Sequence, residues 1–228
     1  MKLSVVMPVY NEEGTIEEIL SRVRETPFEK EIIVIDDGST DGTRKLLDRI
    51  KQDKPEVRVI HHDRNRGKGA CLRTAFRFLT GDVIVIQDAD LEYDPQEYPL
   101  LLEPILSGKA DVVYGSRFLG GPHRVHLFWH YMGNALLTLL TNVVCNLNLT
   151  DMETGYKAFR KEVLQKITIK SNRFGFEPEF AVKVAKNRFR VYETPISYSG
   201  RDYSQGKKIT WQDGILAIFV ILRFRLFD

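Results

Sequence analysis

The sequence is poor in cysteine, with only Cys71 and Cys145 among 228 residues. Two thiols cannot form the disulfide framework of a small secreted domain, and this usage is typical of a reducing compartment. No run reaches the roughly 18–20 apolar residues that a membrane-spanning helix needs. The first residues have neither the length nor the cleavage site of a signal peptide. We therefore expect a cytoplasmic protein.

The sequence also lacks strong net charge and two common phosphate-binding motifs. Its formal net charge is only +2, so no global field attracts nucleic acid, and we expect no nucleic-acid partner. Gly67-Lys68-Gly69 is not followed by a glycine at position 72, which the dinucleotide fingerprint requires. The stretch "GSTDGTRK" has no Gly-Lys-Ser/Thr and is not a P-loop.

Apolar runs alternate with one-sided helical patterns in the first half of the chain. In "TIEEILSRVRE", Ile16, Ile19, Leu20 and Val23 follow the i, i+3, i+4, i+7 spacing of an amphipathic helix. Continuous apolar strands separated by helices predict an α/β fold, with a Rossmann-like, mostly parallel sheet and helices on both faces. The predicted strands are "LSVVMPVY", "EIIVIDD", "VRVIHH", "DVIVIQDAD" and "ADVVYGSR".

Four carboxylates follow the fourth predicted strand: Asp88, Asp90, Glu92 and Asp94. Asp88 and Asp90 lie two residues apart at a strand end, so their side chains can leave the same face and meet around one ion. Carboxylate oxygens suit Mg²⁺ or Mn²⁺, which proteins hold with one or two carboxylates together with substrate phosphates. Ligands of open parallel sheets bind beyond the carboxyl ends of the strands. The pattern predicts a metal–diphosphate site; the alternative is a solvated loop with helix-capping aspartates.

Several motifs together resemble family 2 glycosyltransferases of the GT-A fold: "SVVMPVYNEE", "IIVIDDGSTDGT", "NRGKGAC", "GDVIVIQDADLE" and "GSR". The later motifs "DMETGYKAFR", "FGFEPEF" and "VYETPISYSGR" are similar to the branch of dolichyl-phosphate mannose synthase and polyprenyl-phosphate glucosyltransferases. The resemblance implies a single GT-A catalytic domain over residues 1–228. Residues 1–118 would form its nucleotide-binding half, and residues 119–228 an acceptor-binding half with a C-terminal amphipathic segment.

The resemblance also implies which residues bind the donor. Those near the nucleoside would be Pro8, Tyr10, Glu12, Ile35 (through its backbone), Asp37, Asn65, Gly67 and Lys68. Asp36-Asp37-Gly38 has a second interpretation as a capped turn, and Lys68 has one as a solvated lysine. Asp88-Ala89-Asp90 matches the family's Asp-x-Asp, which implies ribose and metal–diphosphate binding, with Glu92 as a further metal ligand.

The catalytic residues that the resemblance implies are Asp90, Arg117, Asp151 and Arg201. Arg117 would contact the acceptor phosphate or the leaving diphosphate, because a guanidinium forks onto phosphate better than lysine does. Arg201 and Lys207 would lie in a mobile loop over the diphosphate. Asp151 has three interpretations: a base, a group that orients a sugar hydroxyl, and a helix cap.

Other polar residues of the second half have less definite roles. Relatives often carry another arginine for the lipid phosphate; of Arg124, His126 and His130, we prefer Arg124 because it is always charged. Glu177 and Glu179 are interpreted either as sugar contacts or as the start of a helix.

The reaction implied is an inverting hexose transfer that uses Mg²⁺ or Mn²⁺. Mannose or glucose would pass from a nucleoside-diphosphate sugar, GDP-mannose or UDP-glucose, to a polyprenyl phosphate of the dolichyl type. The apolar segments 126–149 and 214–227 are interpreted as core or as an interfacial surface on the cytoplasmic face of a membrane, making the protein peripheral. The alternatives are a family 2 transferase with a soluble or glycan acceptor, a nucleotidyltransferase, and a non-catalytic sugar-nucleotide-binding subunit.

Overall fold

One seven-stranded sheet organises the described part of the chain, which is residues 1–120, 127–200 and 211–228 of a computed structural model, without the side chains of 211–213. The strands are β1 Leu3–Val9, β2 Lys30–Asp36, β3 Val57–His61, β4 Val83–Ile86, β5 Val112–Ser116, β6 Lys157–Arg160 and β7 Val191–Pro195. Their spatial order is β3-β2-β1-β4-β6-β5-β7. All neighbours pair in parallel except β6, which is antiparallel to β4 and β5. The predicted α/β class and mostly parallel sheet are confirmed.

Helices lie between most of the strands. The α-helices of the described residues are α1 Ile16–Glu25, α2 Thr43–Asp53, α3 Lys68–Ala75, α4 Tyr98–Leu106, α5 Phe128–Cys145, α6 Val163–Lys166, α7 Phe176–Lys186 and α8 Trp211–Phe227. The spacing of Leu72, Ala75, Phe76 and Leu79 predicts a helix over residues 69–80, and the helix in the structure, α3, ends earlier, at Ala75. After Ala75 the chain tightens into bonds of the i→i+3 type, from the Arg77 N–H to the Thr74 carbonyl and from the Phe78 N–H to the Ala75 carbonyl.

Hydrophobic clusters cover both faces of the sheet. Val5 of β1 belongs to the cluster that includes Ile19 of α1, whereas its neighbour Val6 belongs to the cluster that includes Phe180 of α7. Successive side chains of a strand point to opposite faces, so a strand covered on both sides is mostly apolar along its length. This is why β1, β2 and β4 read as continuous apolar runs.

The helices α5 and α8 contact each other and expose a large apolar area. We call the following exposed side chains the α5–α8 apolar surface: Phe128, Trp129, Tyr131, Met132, Leu136, Leu139, Val143, Ile215, Leu216, Phe219, Leu222, Leu226 and Phe227. Trp129 is 80% exposed and Phe227 is 83% exposed. Exposed apolar areas of this kind mark interaction surfaces. Among the described residues, none of the helices combines the length and the apolar character needed to span a bilayer.

Candidate active site

The sheet topology places the predicted site residues along one edge. The parallel strands β1, β2, β4 and β5 end at this edge, and because β6 runs the other way, the segment 150–156 that precedes it enters at the same edge. β1 lies between β2 and β4. The chain therefore continues from β1 to β2 and β3 on one side, and then crosses back to β4 on the other side of β1. Such a switch point is where open α/β sheets bind ligands.

Of the residues predicted to lie near the nucleoside, Pro8, Tyr10, Glu12, Ile35 and Asp37 lie at or just after the ends of two adjacent strands, β1 and β2, whereas Asn65, Gly67 and Lys68 lie between β3 and the first turn of α3. Pro8 and Ile35 are partners in the parallel ladder of β1 and β2, and Tyr10 and Glu12 follow β1. Glu12 is only 7% exposed, and its N–H donates to the Thr43 hydroxyl at 2.9 Å. The structure thus brings these residues together, and their contact with a nucleoside stays a prediction.

Asp37 is held inside the loop that follows β3. Its Oδ1 accepts from the Arg66 N–H at 2.9 Å and its Oδ2 accepts from the Gly67 N–H at 2.7 Å. Oδ1 is also hydrogen-bonded to Nδ1 of the buried His62, at 2.8 Å. Gly67 has a φ of +92°, and a Cβ there would lie 2.5 Å from the Asn172 carbonyl oxygen. The glycine therefore allows both this positive φ and the close approach of the backbone at residue 172, while its own N–H binds Asp37.

Asp36 forms the neighbouring histidine pair and caps a turn. Its Oδ1 accepts from the Ser39 N–H at 2.9 Å, as the capped-turn interpretation of this motif predicts. Its Oδ2 lies 2.7 Å from Nδ1 of His61, its partner in the parallel register of β2 and β3. The two adjacent aspartates therefore each bind one of two adjacent histidines. The sequence interpretation missed both histidines, although "DD" and "HH" end consecutive predicted strands.

In the acidic loop after β4, one aspartate caps a helix, whereas Asp90 and Glu92 make other contacts. The capping aspartate is Asp94, which accepts from the Gln96 N–H at 3.0 Å at the start of a 3₁₀ helix. Asp90 accepts from the Glu92 N–H at 3.2 Å, and the Glu92 carboxylate accepts from the Tyr198 hydroxyl at 2.8 Å. Asp90 and Glu92 are partly exposed at the edge of the sheet.

Asp88 contacts a lysine that the sequence interpretation assigned to the nucleotide. Nζ of Lys68, the first residue of α3, lies 2.8 Å from Oδ1 and 2.9 Å from Oδ2 of Asp88. The same Nζ lies 3.2 Å from Oε1 of Glu177, near the start of α7. Burial by itself lowers the pKa of Lys68, but the two carboxylates outweigh it and raise that pKa above its ordinary value. Lys68 is therefore a charged lysine between two acids.

Gly155 lies directly against this ion pair. A Cβ at residue 155 would be 2.2 Å from Oδ2 of Asp88 and 2.9 Å from Nζ of Lys68. The Gly155 N–H donates to the hydroxyl of the buried Tyr93 at 3.0 Å. Because residue 155 has no side chain, the backbone ahead of β6 can contact Asp88 at the carboxyl end of β4.

Two ionisable residues lie close to Gly155 in the chain, the partly buried Glu153 and the buried Lys157. Burial is the largest cause that raises the pKa of Glu153, and the Glu177 carboxylate is the second; together they raise it to about 8. Burial lowers the pKa of Lys157 to about 8; its Nζ donates to the Thr154 carbonyl and lies 4.8 Å from the centre of the Tyr114 ring. Near neutral pH, Glu153 is therefore mostly protonated. The sequence interpretation missed both residues; their signal is two charges beside a glycine just ahead of an apolar strand.

Arg117 and Asp151 form a buried, two-pronged ion pair. The Arg117 Nε and Nη2 donate to Oδ2 and Oδ1 of Asp151 at 2.6 and 2.7 Å, and the Arg117 backbone N–H donates to Oδ2 at 3.2 Å. Asp151 has no exposed surface. Burial favours its neutral form, but Arg117 outweighs burial and holds the pKa of Asp151 below its ordinary value. The structure shows Asp151 as the residue that orients Arg117, while the catalytic roles of both stay predictions.

Glu179 has a structural position. Its carboxylate oxygens accept from the N–H groups of Lys170 and Ser171, each at 2.7 Å, and it pairs with Lys183 at 2.8 Å. Four further predicted residues, Arg124, His126, Arg201 and Lys207, lie outside the described residues.

The residues at the end of β4 fit a divalent cation. The potential ligands, Asp88, Asp90 and Glu92, supply only carboxylate oxygens, which Mg²⁺ and Mn²⁺ prefer. In the structure an ammonium group already contacts both oxygens of Asp88. Oε2 of Glu177 is buried and has no hydrogen-bond partner within the described ranges. The site thus has more negative charge than Lys68 alone satisfies.

Comparisons with known proteins identify a family and relatives of similar sequence. The family model described as Glycosyl transferase family 2 matches residues 4–168. An undecaprenyl-phosphate mannosyltransferase of Micrococcus luteus is 32% identical over 216 residues, which cover 91% of this chain and 87% of that protein. A polyprenol monophosphomannose synthase of Mycolicibacterium smegmatis is 31% identical over 211 residues, 89% of this chain and 79% of that protein.

A solved structure has the same fold at lower sequence identity. Glucosyl-3-phosphoglycerate synthase of Mycobacterium tuberculosis superposes with a TM-score of 0.76 at 21% identity, over 100% of this chain and 79% of that one. That protein was crystallised in complex with Mn²⁺, uridine diphosphate and phosphoglyceric acid.

Proposed function

Because this chain belongs to glycosyl transferase family 2, we propose that it transfers a hexose from a nucleoside-diphosphate sugar to a polyprenyl phosphate, with inversion at the anomeric carbon. The observation that carries the proposal is the position of Asp88 and Asp90, at the carboxyl end of β4 beside the switch point of the sheet. The names of the two relatives above support the acceptor class: one is an undecaprenyl-phosphate mannosyltransferase, and the other is a polyprenol monophosphomannose synthase. Both are named for mannose, so GDP-mannose is the first donor to test and UDP-glucose the second.

Asp88 and Asp90 would hold Mg²⁺ or Mn²⁺ together with the diphosphate of the donor, with Glu92 as a further ligand. The bound cation would neutralise charge on the departing nucleoside diphosphate. Pro8, Tyr10, Glu12 and Asp37 would position the nucleoside at the ends of β1 and β2.

Charge, rather than proton transfer, is the main obstacle for the acceptor. A phosphate monoester has a second pKa of about 6, so near pH 7 it is largely a dianion and needs little help from a base. It must, however, approach the diphosphate of the donor, which is also negatively charged. Arg117 would supply positive charge, together with Arg201 and Lys207, which lie outside the described residues. Asp151 contributes by fixing the direction of the Arg117 guanidinium.

A polyprenyl acceptor requires the enzyme to meet a membrane. We place the α5–α8 apolar surface on the bilayer, with the exposed Arg223 and Arg225 at anionic head groups. Aromatic side chains such as Trp129 and Phe219 would enter the interface. The protein would thus act as a peripheral enzyme on the cytoplasmic face.

The test is a transfer assay with purified protein. Radiolabelled GDP-mannose, UDP-glucose and UDP-GlcNAc are each supplied with polyprenyl phosphate and Mg²⁺ or Mn²⁺, and lipid-extractable label is counted. We expect one donor to give labelled lipid, and the Asp90→Asn variant to lose this activity while keeping its circular-dichroism spectrum. Transfer to a soluble acceptor without lipid would instead support the alternative family 2 activity, and full activity in excess chelator would refute the metal site.

A further inference from the structure

We propose that Lys68 and Glu177 form an internal counter-ion for the metal site: Lys68 neutralises Asp88 until the divalent cation binds, and Glu177 then holds the displaced ammonium. Both are positioning residues in this proposal, which rests on the proposed metal-dependent function.

The first observation is that Lys68 occupies the oxygens a metal would use. Its Nζ lies within hydrogen-bond distance of both Asp88 oxygens, at 2.8 and 2.9 Å. A divalent cation on that carboxylate would stand next to a like charge, and like charges this close repel strongly in a partly buried site. Metal and ammonium therefore compete for Asp88.

The second observation is that Asp88 cannot withdraw toward the backbone behind it. The backbone of Gly155 lies so close that even a Cβ there would come within 2.2 Å of Oδ2. Aspartate also has a short side chain, whereas lysine carries its charge on a flexible four-carbon stem. The group that moves when a cation binds must therefore be Lys68.

The third observation is that a receiving acceptor is already in place. Glu177 is 4% exposed, its Oε1 is 3.2 Å from the Lys68 Nζ, and its Oε2 is buried without a hydrogen-bond partner among the described residues. A buried carboxylate oxygen without a partner is costly, and the displaced ammonium could satisfy it. A second buried lysine, Lys157, donates to the Met152 and Thr154 carbonyls instead.

The backbone that carries Lys68 is fixed, so only its side chain needs to move. Cβ atoms built on Gly67 and Gly69 would fall 2.5 Å from the Asn172 carbonyl oxygen and 2.3 Å from the Ser171 carbonyl oxygen. This tight backbone packing holds the start of α3 against the segment ahead of α7. Lys68 and Glu177 therefore keep their spacing when the ammonium changes partner.

The consequence is that metal binding includes a displacement cost, and the two residues affect it in opposite directions. Removing Lys68 removes the competitor and should tighten metal binding. Removing the charge of Glu177 leaves Lys68 with Asp88 alone and should weaken it. Because Glu177 acts through Lys68, its effect should vanish once Lys68 is gone.

The experiment measures Mn²⁺ binding to the nucleotide-free protein by the electron paramagnetic resonance signal of free Mn²⁺. Lys68→Met should bind Mn²⁺ tighter by about tenfold and Glu177→Gln weaker by about fivefold, within the usual range for coupling between sites. The double variant should match Lys68→Met. Lys183→Met is the matched control, since Lys183 also bridges two carboxylates, Glu179 and Asp228, at 2.8 and 2.6 Å; it should leave Mn²⁺ binding unchanged.

Two results would overturn the proposal. One is an unchanged or weaker Mn²⁺ affinity in Lys68→Met. The other is a Glu177→Gln effect of the same size with and without Lys68, which would indicate only a through-space electrostatic effect.

If Lys68→Met does not fold, Lys68→Arg is the substitute variant. It should weaken Mn²⁺ binding, because a guanidinium binds a carboxylate with two hydrogen bonds, and an unchanged affinity would count against the proposal. Loss of Mn²⁺ binding in Asp88→Asn beside an unaffected Lys68→Met would refute this inference alone, whereas wild-type protein that binds no Mn²⁺ even with GDP or UDP would refute the proposed metal site as well.

Discussion

Replacing Asp151 by alanine tests whether this carboxylate is primarily the holder of Arg117. The change removes three hydrogen bonds from Arg117, at 2.6, 2.7 and 3.2 Å. The Arg117 side chain, which is only 15% exposed, then loses its carboxylate partner. Removing one partner of a buried ion pair usually destabilises a protein by about 3–5 kcal/mol, because the remaining charge stays buried. We expect a loss of that size in the free energy of unfolding.

The pH dependence gives this loss a second signature. Since the pKa of Asp151 is held below its ordinary value, the pair stabilises the fold fully at pH values above the unfolded pKa, which is about 4 for aspartate. That contribution is lost as the pH falls through the lower folded-state pKa. Urea unfolding of wild type and Asp151→Ala should therefore differ most near pH 7, and the difference should shrink below pH 4.

A matched control separates the buried pair from an exposed one. Asp111 also accepts three hydrogen bonds from one arginine, from the Arg190 side chain at 3.1 and 2.7 Å and from its backbone N–H at 2.9 Å, but the Arg190 side chain is 55% exposed. Asp111→Ala should cost much less than Asp151→Ala, because exposed pairs contribute little. An equal cost at the two sites would refute the reasoning. The reasoning would also be refuted if the double variant, Arg117→Met with Asp151→Leu, lost as much free energy of unfolding as the two single variants lose together.

Three further predictions concern other parts of the molecule. Because the pKa of Glu153 is raised to about 8, the folded state binds more protons than the unfolded state, and wild-type stability should fall as the pH rises from about 5 to 8; urea unfolding of Glu153→Gln should lack that fall. Gly67→Ala combines a φ of +92° with a Cβ 2.5 Å from the Asn172 carbonyl oxygen, so thermal unfolding should show a loss of about 1–3 kcal/mol. Trp129→Ser should weaken co-sedimentation with anionic vesicles about tenfold, since burying one large apolar side chain stabilises by roughly 1.5–3 kcal/mol; Leu106→Ser, exposed on α4, should leave it unchanged.

The sequence predicts the parallel part of the sheet because its strands are covered on both faces. β4 is apolar at every position and β1 and β2 contain long apolar runs, and such runs are recognisable without knowledge of their partners. β6 is different, with only four residues, Lys157–Arg160, that begin and end on cations. Its pairing with β4 joins residues more than 70 positions apart, so no local pattern reveals it. The edge strand β7 escaped prediction for a similar reason, since it is only partly buried.

For the site, the sequence indicates which ends of strands meet but not which side chains pair. The position of Asp88 and Asp90 follows from the strand that precedes them. The contact of Lys68 with Asp88 does not, because it depends on how the start of α3 approaches the neighbouring strand. The two histidine–aspartate pairs are an intermediate case: once β2 and β3 are assumed to be parallel neighbours, "DD" and "HH" at their ends can be matched.

Two partly buried cations of the candidate site, Lys68 and Arg117, are paired with carboxylates. Lys68 contacts Asp88 and Glu177, and Arg117 contacts Asp151. An anion that binds here must compete with fixed carboxylates at hydrogen-bond distance, whereas a site of unpaired lysines and arginines would attract any phosphate. A nucleoside diphosphate with its own metal ion avoids this competition at Asp88, because its metal takes that carboxylate while Glu177 keeps the Lys68 ammonium. We therefore expect Mn²⁺ with GDP or UDP to inhibit the transfer far more strongly than inorganic phosphate at the same concentration. Equal inhibition by the two would contradict this exchange of partners.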